Sequence, residues 1–231
     1  MSDEAFYSQI PLDQGSYTAS QASRLLNIPV RNIRRWMLGY KRGDHYSTPL
    51  WQPQIPIIDN ELEFGFRDLI ELRFVQSFMN AGLGLLAIRN CLQHAKEFVD
   101  NSHPFSTQSF KTDGRTIFLE SSNSIEESEL IDLKNKQYVI KSVIEKSFKD
   151  LDIEEGIVAR WRPYKGKSSI IIDPKRSFGQ PIINDFGVAT RVLSDAVKAE
   201  ESIKKVSFLY EVPEKLVKDA LNFEKSLDHA A

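Results

Sequence analysis

The sequence predicts a mainly α-helical protein with small β elements, and three observations indicate this fold class. Apolar residues recur every three or four positions over much of the chain, which is the period of a helix with one buried face. The strand-like runs are short, and proline or glycine follows them. The 231 residues contain one cysteine, so no internal disulfide forms and an apolar core must hold the fold together.

The composition is that of an ordinary soluble globular protein, with 41% apolar and 27% charged residues. The longest apolar run, residues 83–88, is far shorter than a membrane span. The first residues are acidic, with no apolar signal segment behind them, and a single cysteine fits a reducing compartment. We therefore expect a cytoplasmic protein that does not contact the membrane.

Charge is segregated along the chain, although the net charge is only −2. The thirty residues between Asp13 and Asp44 contain six cations and no carboxylate. A second basic stretch covers residues 160–176, and residues 120–132 carry five carboxylates without a cation. Contact with a phosphate backbone requires clustered cations, because binding releases counterions in proportion to them. The second stretch is equally consistent with ordinary solvated surface.

The first basic segment is predicted to form two short helices. Thr18 is placed to cap a helix over residues 19–26, whose apolar positions follow at spacings of three and four. Asn27 tolerates a left-handed backbone, and Pro29 is permitted in the opening turn of a new helix. The second helix, residues 30–38, therefore follows after a tight turn, with one apolar and one basic face.

This arrangement is typical of a helix-turn-helix, whose second helix enters the major groove of DNA. Arginine and asparagine side chains suit hydrogen bonding to base edges. An ordinary helical hairpin with a basic outer face is the alternative. The residues expected to contact DNA are Thr18, Ser20, Arg24, Arg31, Asn32, Arg34, Arg35, Lys41 and Arg42.

The residues after the second helix extend the predicted DNA surface. Lys41, Arg42 and His45 lead into a proline-rich connection, residues 46–56, which we expect to form a wing-like loop against backbone phosphates. Trp36 is adjacent to the apolar face of the second helix. We therefore expect it to anchor the core rather than stack on bases.

Two further apolar helices are predicted over residues 66–79 and 85–99. The first is apolar around most of its circumference, and one small domain cannot easily cover both of its faces. A homodimer is therefore expected, since two-fold proteins read two-fold sites, whereas a single well-packed hairpin is the alternative. Cys91 lies on the apolar face and is expected in the core. The expected dimer contacts are Phe66, Ile70, Phe74, Phe78, Leu85, Ile88 and Leu92.

The middle of the chain is predicted to contain strands. Residues 116–119 and 138–144 are rich in β-branched and aromatic side chains, and an acidic loop at residues 121–128 separates them. The three predicted domains are residues 1–100 for DNA binding and dimerisation, 101–167 as a β-containing connection, and 168–231 as a helical module.

The carboxy-terminal region is predicted to contain two short strands, residues 170–172 and 182–183, followed by three helices. Thr190 and Ser202 are expected to cap the first two helices, and Pro213 opens the third. The last pair exposes both lysines and carboxylates, so it suits a second DNA-binding element and a protein-binding bundle equally. The residues expected to face inward include Val192, Leu193, Val206, Leu209 and Tyr210.

The sequence contains no recognisable catalytic constellation. The four histidines are scattered, and neither a glycine-rich phosphate loop nor a Gly-x-Ser-x-Gly turn occurs. Paired acids such as Glu126 and Glu127 occur in polar contexts that are typical of solvated surface. We therefore expect no enzymatic activity, no bound metal and no cofactor.

Segments near both ends of the chain resemble one group of VapB-type antitoxins. Residues 17–36 and 66–73 are similar to the MerR-like, winged helix-turn-helix domain of that group. Residues 172–176, 179–183 and 190–193 are similar to the antitoxin-associated module that follows it, and the segments occur in the expected order.

The resemblance implies a type II antitoxin that binds a PIN-domain ribonuclease toxin. It also implies that the chain, as a dimer, represses its own operon by binding operator DNA. A stand-alone dimeric transcriptional regulator and a protein-interaction adaptor without DNA binding are the alternatives.

Overall fold

Helices make up most of the computed structural model, which describes residues 13–57, 62–121 and 137–228. The side chains of Arg42 and His45 lie outside this description. Short antiparallel strand pairs connect the helices. The mainly helical fold class with small β elements is therefore confirmed.

The amino-terminal part contains two helices and two strand pairs. The elements in chain order are β1 (Tyr17–Thr18), α1 (Ala19–Leu26), α2 (Val30–Leu38), β2 (Tyr40–Arg42), β3 (His45–Ser47) and β4 (Glu63–Phe64). Strand β1 pairs with β4, and β2 pairs with β3 as a hairpin. Both predicted helices are confirmed at their expected bounds. The hairpin forms before most of the proline-rich connection, because Gly43 and Asp44 supply its two-residue turn.

A bundle of helices follows and holds the main core. Its elements are α3 (Phe66–Asn80), α4 (Leu85–Val99), a 3₁₀ turn (Pro104–Ser106), α5 (Gln108–Ser121) and α6 (Gln137–Phe148). Phenylalanine rings from these elements meet around α3. The ring centres of Phe105 and Phe110 are 4.5 Å apart, and that of Phe74 lies 5.8 Å from Phe105. The apolar circumference of α3 is thus covered within one chain.

The residues expected at a dimer interface belong to this core instead. Phe66, Ile70, Phe74, Phe78, Ile88 and Leu92 are buried, and Leu85 is partly buried against the same cluster. The sequence predicts a face of α3 that no part of the same chain covers. In the structure the 3₁₀ turn, α5 and α6 cover that face. These seven side chains therefore have little surface left for a second copy, and a dimer would need other contacts.

The two strands predicted in the middle of the chain are wrong, because both segments are helical. In α5, Phe110, Gly114, Ile117 and Phe118 are buried at helical spacing. In α6, the buried residues Ile140 and Ile144 are four positions apart. The β structure of this region is the pair β5 (Leu151–Glu154) and β6 (Ile157–Trp161). The predicted acidic loop lies outside the described residues from position 122 onward.

The carboxy-terminal region has the predicted order of two strands and three helices. Its elements are β7 (Ile170–Ile171), β8 (Ile182–Ile183), α7 (Thr190–Glu200), α8 (Ile203–Tyr210) and α9 (Glu214–Asp228). The Ser202 cap is confirmed, since its hydroxyl accepts a hydrogen bond from the amide of Lys205 at 3.2 Å. Thr190 is not a cap: it is the first helical residue, and Ala189 precedes it as the N-cap.

Three side chains of this region face outward, contrary to the prediction. Val192, Leu209 and Tyr210 are 45%, 55% and 38% exposed. Leu193 and Val206 are buried as predicted and pack with residues of α9 in a second core. The first core extends from Tyr17 to Ile172, and Leu25 of α1 packs against both.

Candidate nucleic-acid interface

Local capping fixes the position of α1. The hydroxyl of Thr18 accepts a hydrogen bond from the amide of Gln21 at 3.2 Å, and the Gln21 side chain accepts one from the amide of Thr18 at 2.8 Å. This reciprocal capping box satisfies two amides at the helix start. Thr18 and Ser20 are both exposed. The turn after α1 uses a left-handed Asn27 with φ 53°, as the sequence predicts.

Helix α2 separates apolar and basic residues onto opposite faces. Ile33, Trp36 and Met37 are buried, so Trp36 is a core residue as predicted. The opposite face exposes Arg31, Arg34 and Arg35, and Asn32 is partly exposed. Among the described residues, no carboxylate forms an ion pair with Arg31, Arg34, Arg35 or Lys41. The basic face is therefore available to an anionic partner.

The hairpin continues this basic surface. Lys41 is exposed in β2, and Arg42 occupies the last position of that strand opposite His45. The guanidinium carbon of Arg35 lies 4.1 Å from the centre of the Tyr40 ring, a cation–π distance that links helix and hairpin. Gly39 joins the two elements with φ 73°, where a Cβ would lie 2.4 Å from the carbonyl oxygen of Ser47.

An arginine that the sequence analysis did not identify holds the end of the hairpin. Arg89 of α4 donates to the Thr48 hydroxyl and the Pro49 carbonyl, each at 3.0 Å. Its other terminal nitrogen donates to the Thr48 carbonyl at 2.8 Å and the Ser47 hydroxyl at 3.2 Å. Leu50 then donates to the carbonyl of Trp36 at 2.8 Å. The position of the hairpin is therefore set by α4 as well as by α2.

A buried carboxylate secures the connection behind the hairpin. Asp68 of α3 accepts hydrogen bonds from the Trp51 indole at 2.8 Å and from the amides of Gln54 and Gly65 at 2.8 and 2.9 Å. His103 lies 2.7 Å from the same carboxylate. An acid between the apolar residues Phe66 and Leu69 is the sequence signal available for this site. Full pairing compensates for the cost of burying it.

Glu71, one turn further along α3, is also fully buried. Its carboxylate accepts from the amides of Ser106 at 2.9 Å and Phe105 at 3.3 Å. Burial raises the pKa of Glu71 to about 7, against the opposing effects of His103, those amides and Arg67. The helix bundle that supports the hairpin therefore contains a carboxyl that titrates near neutral pH.

Arg24 differs from the other predicted DNA contacts, because carboxylates of α9 surround its guanidinium. Glu224 lies 2.9 Å from Nη1, and Asp228 lies 2.7 Å from Nη2. The structure thus exposes the arginines of α2 and Lys41 of the adjoining hairpin, and it places Arg24 at a contact between α1 and the carboxy-terminal helices.

The second basic stretch is mostly occupied by internal contacts. Arg160 pairs with Glu154 at 2.5 Å, Arg162 lies 3.3 Å from Asp152, and Arg176 bonds to Asn184. Lys165 and Lys167 remain exposed, with their amines 5.5 and 5.3 Å from the Tyr164 ring centre. Solvated surface accounts for much of this stretch.

Within residues 13–57, 62–121 and 137–228, no group of three or more metal-binding side chains occurs. Cys91 is a buried free thiol, and burial raises its pKa, which suits a core residue. Within the same residues, no helix has the length and apolar character needed to cross a bilayer.

The chain is similar to a curated protein and to a solved structure, both from Mycobacterium tuberculosis, while no protein-family model matches it. The curated protein, named "Putative antitoxin VapB45", is 26% identical to this chain in an alignment that covers 93% of this chain and 95% of that protein. The crystal structure of Rv2018 matches with a TM-score of 0.68 at 21% identity, covering 92% of this chain and 98% of that one. The structural match shows a shared fold. The name of the curated relative supports a VapB-type antitoxin family for this chain.

Proposed function

We propose that this chain is a DNA-binding antitoxin that represses its own operon as a dimer and neutralises a PIN-domain ribonuclease. The observation that carries DNA binding is a set of exposed arginines on α2 that form no ion pair with the described carboxylates, namely Arg31, Arg34 and Arg35. The name of the curated relative supports the antitoxin role. The PIN-domain class of the toxin is what the sequence resemblance to VapB-type antitoxins implies.

The dimensions of α2 suit the major groove. With its side chains an α-helix is about 10–12 Å in diameter, and the groove is about 12 Å wide. Arg31 lies in the first turn, the part of a recognition helix that contacts base edges. Arg35 contacts the hairpin and Lys41 belongs to it, and contact with backbone phosphates is the expected role of both. The apolar face of α2 is buried, so DNA would meet only its basic side.

The first experiment compares two triple variants of the full chain. The test variant is R31A/R34A/R35A, and the control, K111A/R115A/K146A, removes the same charge from exposed positions on α5 and α6. Affinity for a duplex from the region upstream of the gene is measured at several salt concentrations. We expect the test variant to lose at least about a hundredfold in affinity, with a salt slope up to about 2.7 smaller.

The control should bind like the wild type. Equal affinity of the test variant and the wild type would overturn the DNA-binding proposal. A random duplex of the same length distinguishes base reading from general attraction to phosphates.

The toxin is tested by expressing the tagged chain together with both neighbouring genes and identifying the proteins that co-purify. Recovery of a PIN-type ribonuclease, with loss of its activity in the complex, is the expected result. A homodimer that binds DNA without any toxin would leave a stand-alone transcriptional regulator as the function.

A further inference from the structure

One buried carboxylate joins the first helix of the DNA-binding region to the carboxy-terminal helices. Glu224 of α9 is 4% exposed. Its Oε1 accepts a hydrogen bond from the Thr190 hydroxyl of α7, and its Oε2 lies 2.9 Å from Nη1 of Arg24. Three helices that are distant in sequence therefore meet at one side chain.

Acceptors on α9 engage every nitrogen of the Arg24 guanidinium. Nε and Nη2 donate to Asp228 at 3.1 and 2.7 Å, and Nη2 also lies 3.3 Å from the carbonyl oxygen of Glu224. Bidentate contacts of this kind fix the orientation of a guanidinium. Arg24 would have to break them before it could bind a phosphate group.

The other end of α1 is also attached to the carboxy-terminal region. The Tyr17 hydroxyl donates to the carbonyl of Gly179 at 2.7 Å, and the amide of Ser16 donates to the carbonyl of Phe178 at 3.2 Å. Next to Arg24, Leu25 packs against the second core. Helix α1 is therefore held at both ends, and only three residues separate it from α2.

We infer that Arg24 and Glu224 are positioning residues, which hold α1 so that the basic face of α2 meets DNA in one orientation. This inference rests on the proposed DNA-binding function. Arg24 contributes to affinity through its contact with α9 and not through a phosphate. DNA affinity therefore depends on a contact about 200 residues along the chain from α1.

The E224Q variant distinguishes a positioning role of Glu224 from a purely electrostatic effect, because the two predict opposite changes in DNA affinity. Glutamine still accepts from Thr190 but cannot form the ion pair with Arg24. Removing a carboxylate should tighten DNA binding if only charge matters, whereas loss of positioning should weaken it. The matched control is E214Q, which removes the same charge from an exposed position on α9.

The experiment measures DNA affinity and salt slope for the full-length wild type, R24A, E224Q, R24A/E224Q and E214Q. We expect R24A and E224Q each to weaken binding at least about fivefold with an unchanged slope. The double variant should be no weaker than the poorer single variant, because both remove one contact. Hydrogen exchange of the α1 amides should be faster in E224Q than in the wild type and unchanged in E214Q. This measurement reports how firmly α1 is held in the absence of DNA.

Three results would overturn the inference. The first is a salt slope about 0.9 smaller in R24A, together with unchanged or tighter DNA binding by E224Q. It would show that Arg24 contacts a phosphate and would leave the proposed function intact. Unchanged affinity in both variants would show that the contact does not position α2. A wild-type chain without salt-dependent DNA binding would remove the proposed function and this inference together.

Discussion

Replacing Glu71 with glutamine should change how the stability of the protein depends on pH. The buried carboxyl has a pKa of about 7 in the folded chain and 4.5 in its ordinary state. The folded chain therefore holds the proton more tightly than the unfolded chain does. The Glu71 carboxyl therefore contributes its full stabilisation below pH 4.5. This stabilisation falls as the pH rises to about 7, because the carboxyl ionises at a lower pH in the unfolded chain than in the folded chain.

The size of the effect follows from the same two pKa values. Each unit between them corresponds to about 1.4 kcal/mol, so the folded state should lose about 2 to 3 kcal/mol between pH 5 and pH 8. Glutamine does not ionise and keeps one acceptor oxygen, for the closer amide of Ser106. The bond from the amide of Phe105 to the other oxygen is lost, at a cost that does not vary with pH. The free energy of unfolding of E71Q should therefore rise relative to the wild type by about this amount over that range.

Urea unfolding followed by tryptophan fluorescence measures this difference at pH 5, 6, 7 and 8. Arg67 and His103 act on the Glu71 carboxyl and are present in both proteins, so the difference between the two pH profiles reports Glu71 itself. The control E97Q changes an exposed carboxylate on α4 and should follow the wild type. Parallel pH profiles for E71Q and the wild type would refute the reasoning.

Three further substitutions test the supporting structure. Gly65→Ala should lower the midpoint of thermal unfolding by several degrees, because the new Cβ would lie 2.3 Å from Oε1 of Gln54; an unchanged midpoint would show that this loop yields easily. Arg89→Ala should increase proteolysis after β3 and weaken DNA binding, with global stability reduced by less than about 2 kcal/mol, and protection equal to the wild type would contradict the anchoring role. Phe105→Ala should cost about 3–5 kcal/mol of unfolding free energy in urea, whereas Phe98→Ala, at a ring that is 54% exposed, should cost far less.

The sequence predicted the elements that local signals determine. The bounds of α1 and α2 follow from Thr18, Asn27 and Pro29, whose effects act within a few residues. Exposure of the α2 arginines follows from helical periodicity in the same way. Local chemistry was therefore sufficient for the face that we propose to contact DNA.

The errors in the middle of the chain share one cause. Short runs such as residues 116–119 suit a strand or a buried helix equally, and the choice depends on packing with distant segments. Residues 116–119 are predicted as a strand, so the sequence offers no helix there to bring Phe110 and Phe118 against α3. The apolar circumference of α3 predicts a second chain as its cover, whereas its own chain supplies that cover.

Partners across long sequence separations could not be predicted. Arg24 has the same local context as the arginines of α2, and only the fold shows that α9 engages it. Arg89 similarly occurs in a helix with no sequence signal that it bonds to the end of the hairpin.

The contact between Arg24 and α9 also sets an order of events during translation. About 200 residues separate Arg24 from Glu224. At about 5–20 residues per second, α9 is synthesised about 10–40 s after α1. Until then a nascent chain carries α1 without its carboxy-terminal attachments. Under the proposed function, a ribosome-bound chain that stops before α9 should therefore bind DNA more weakly than the finished chain.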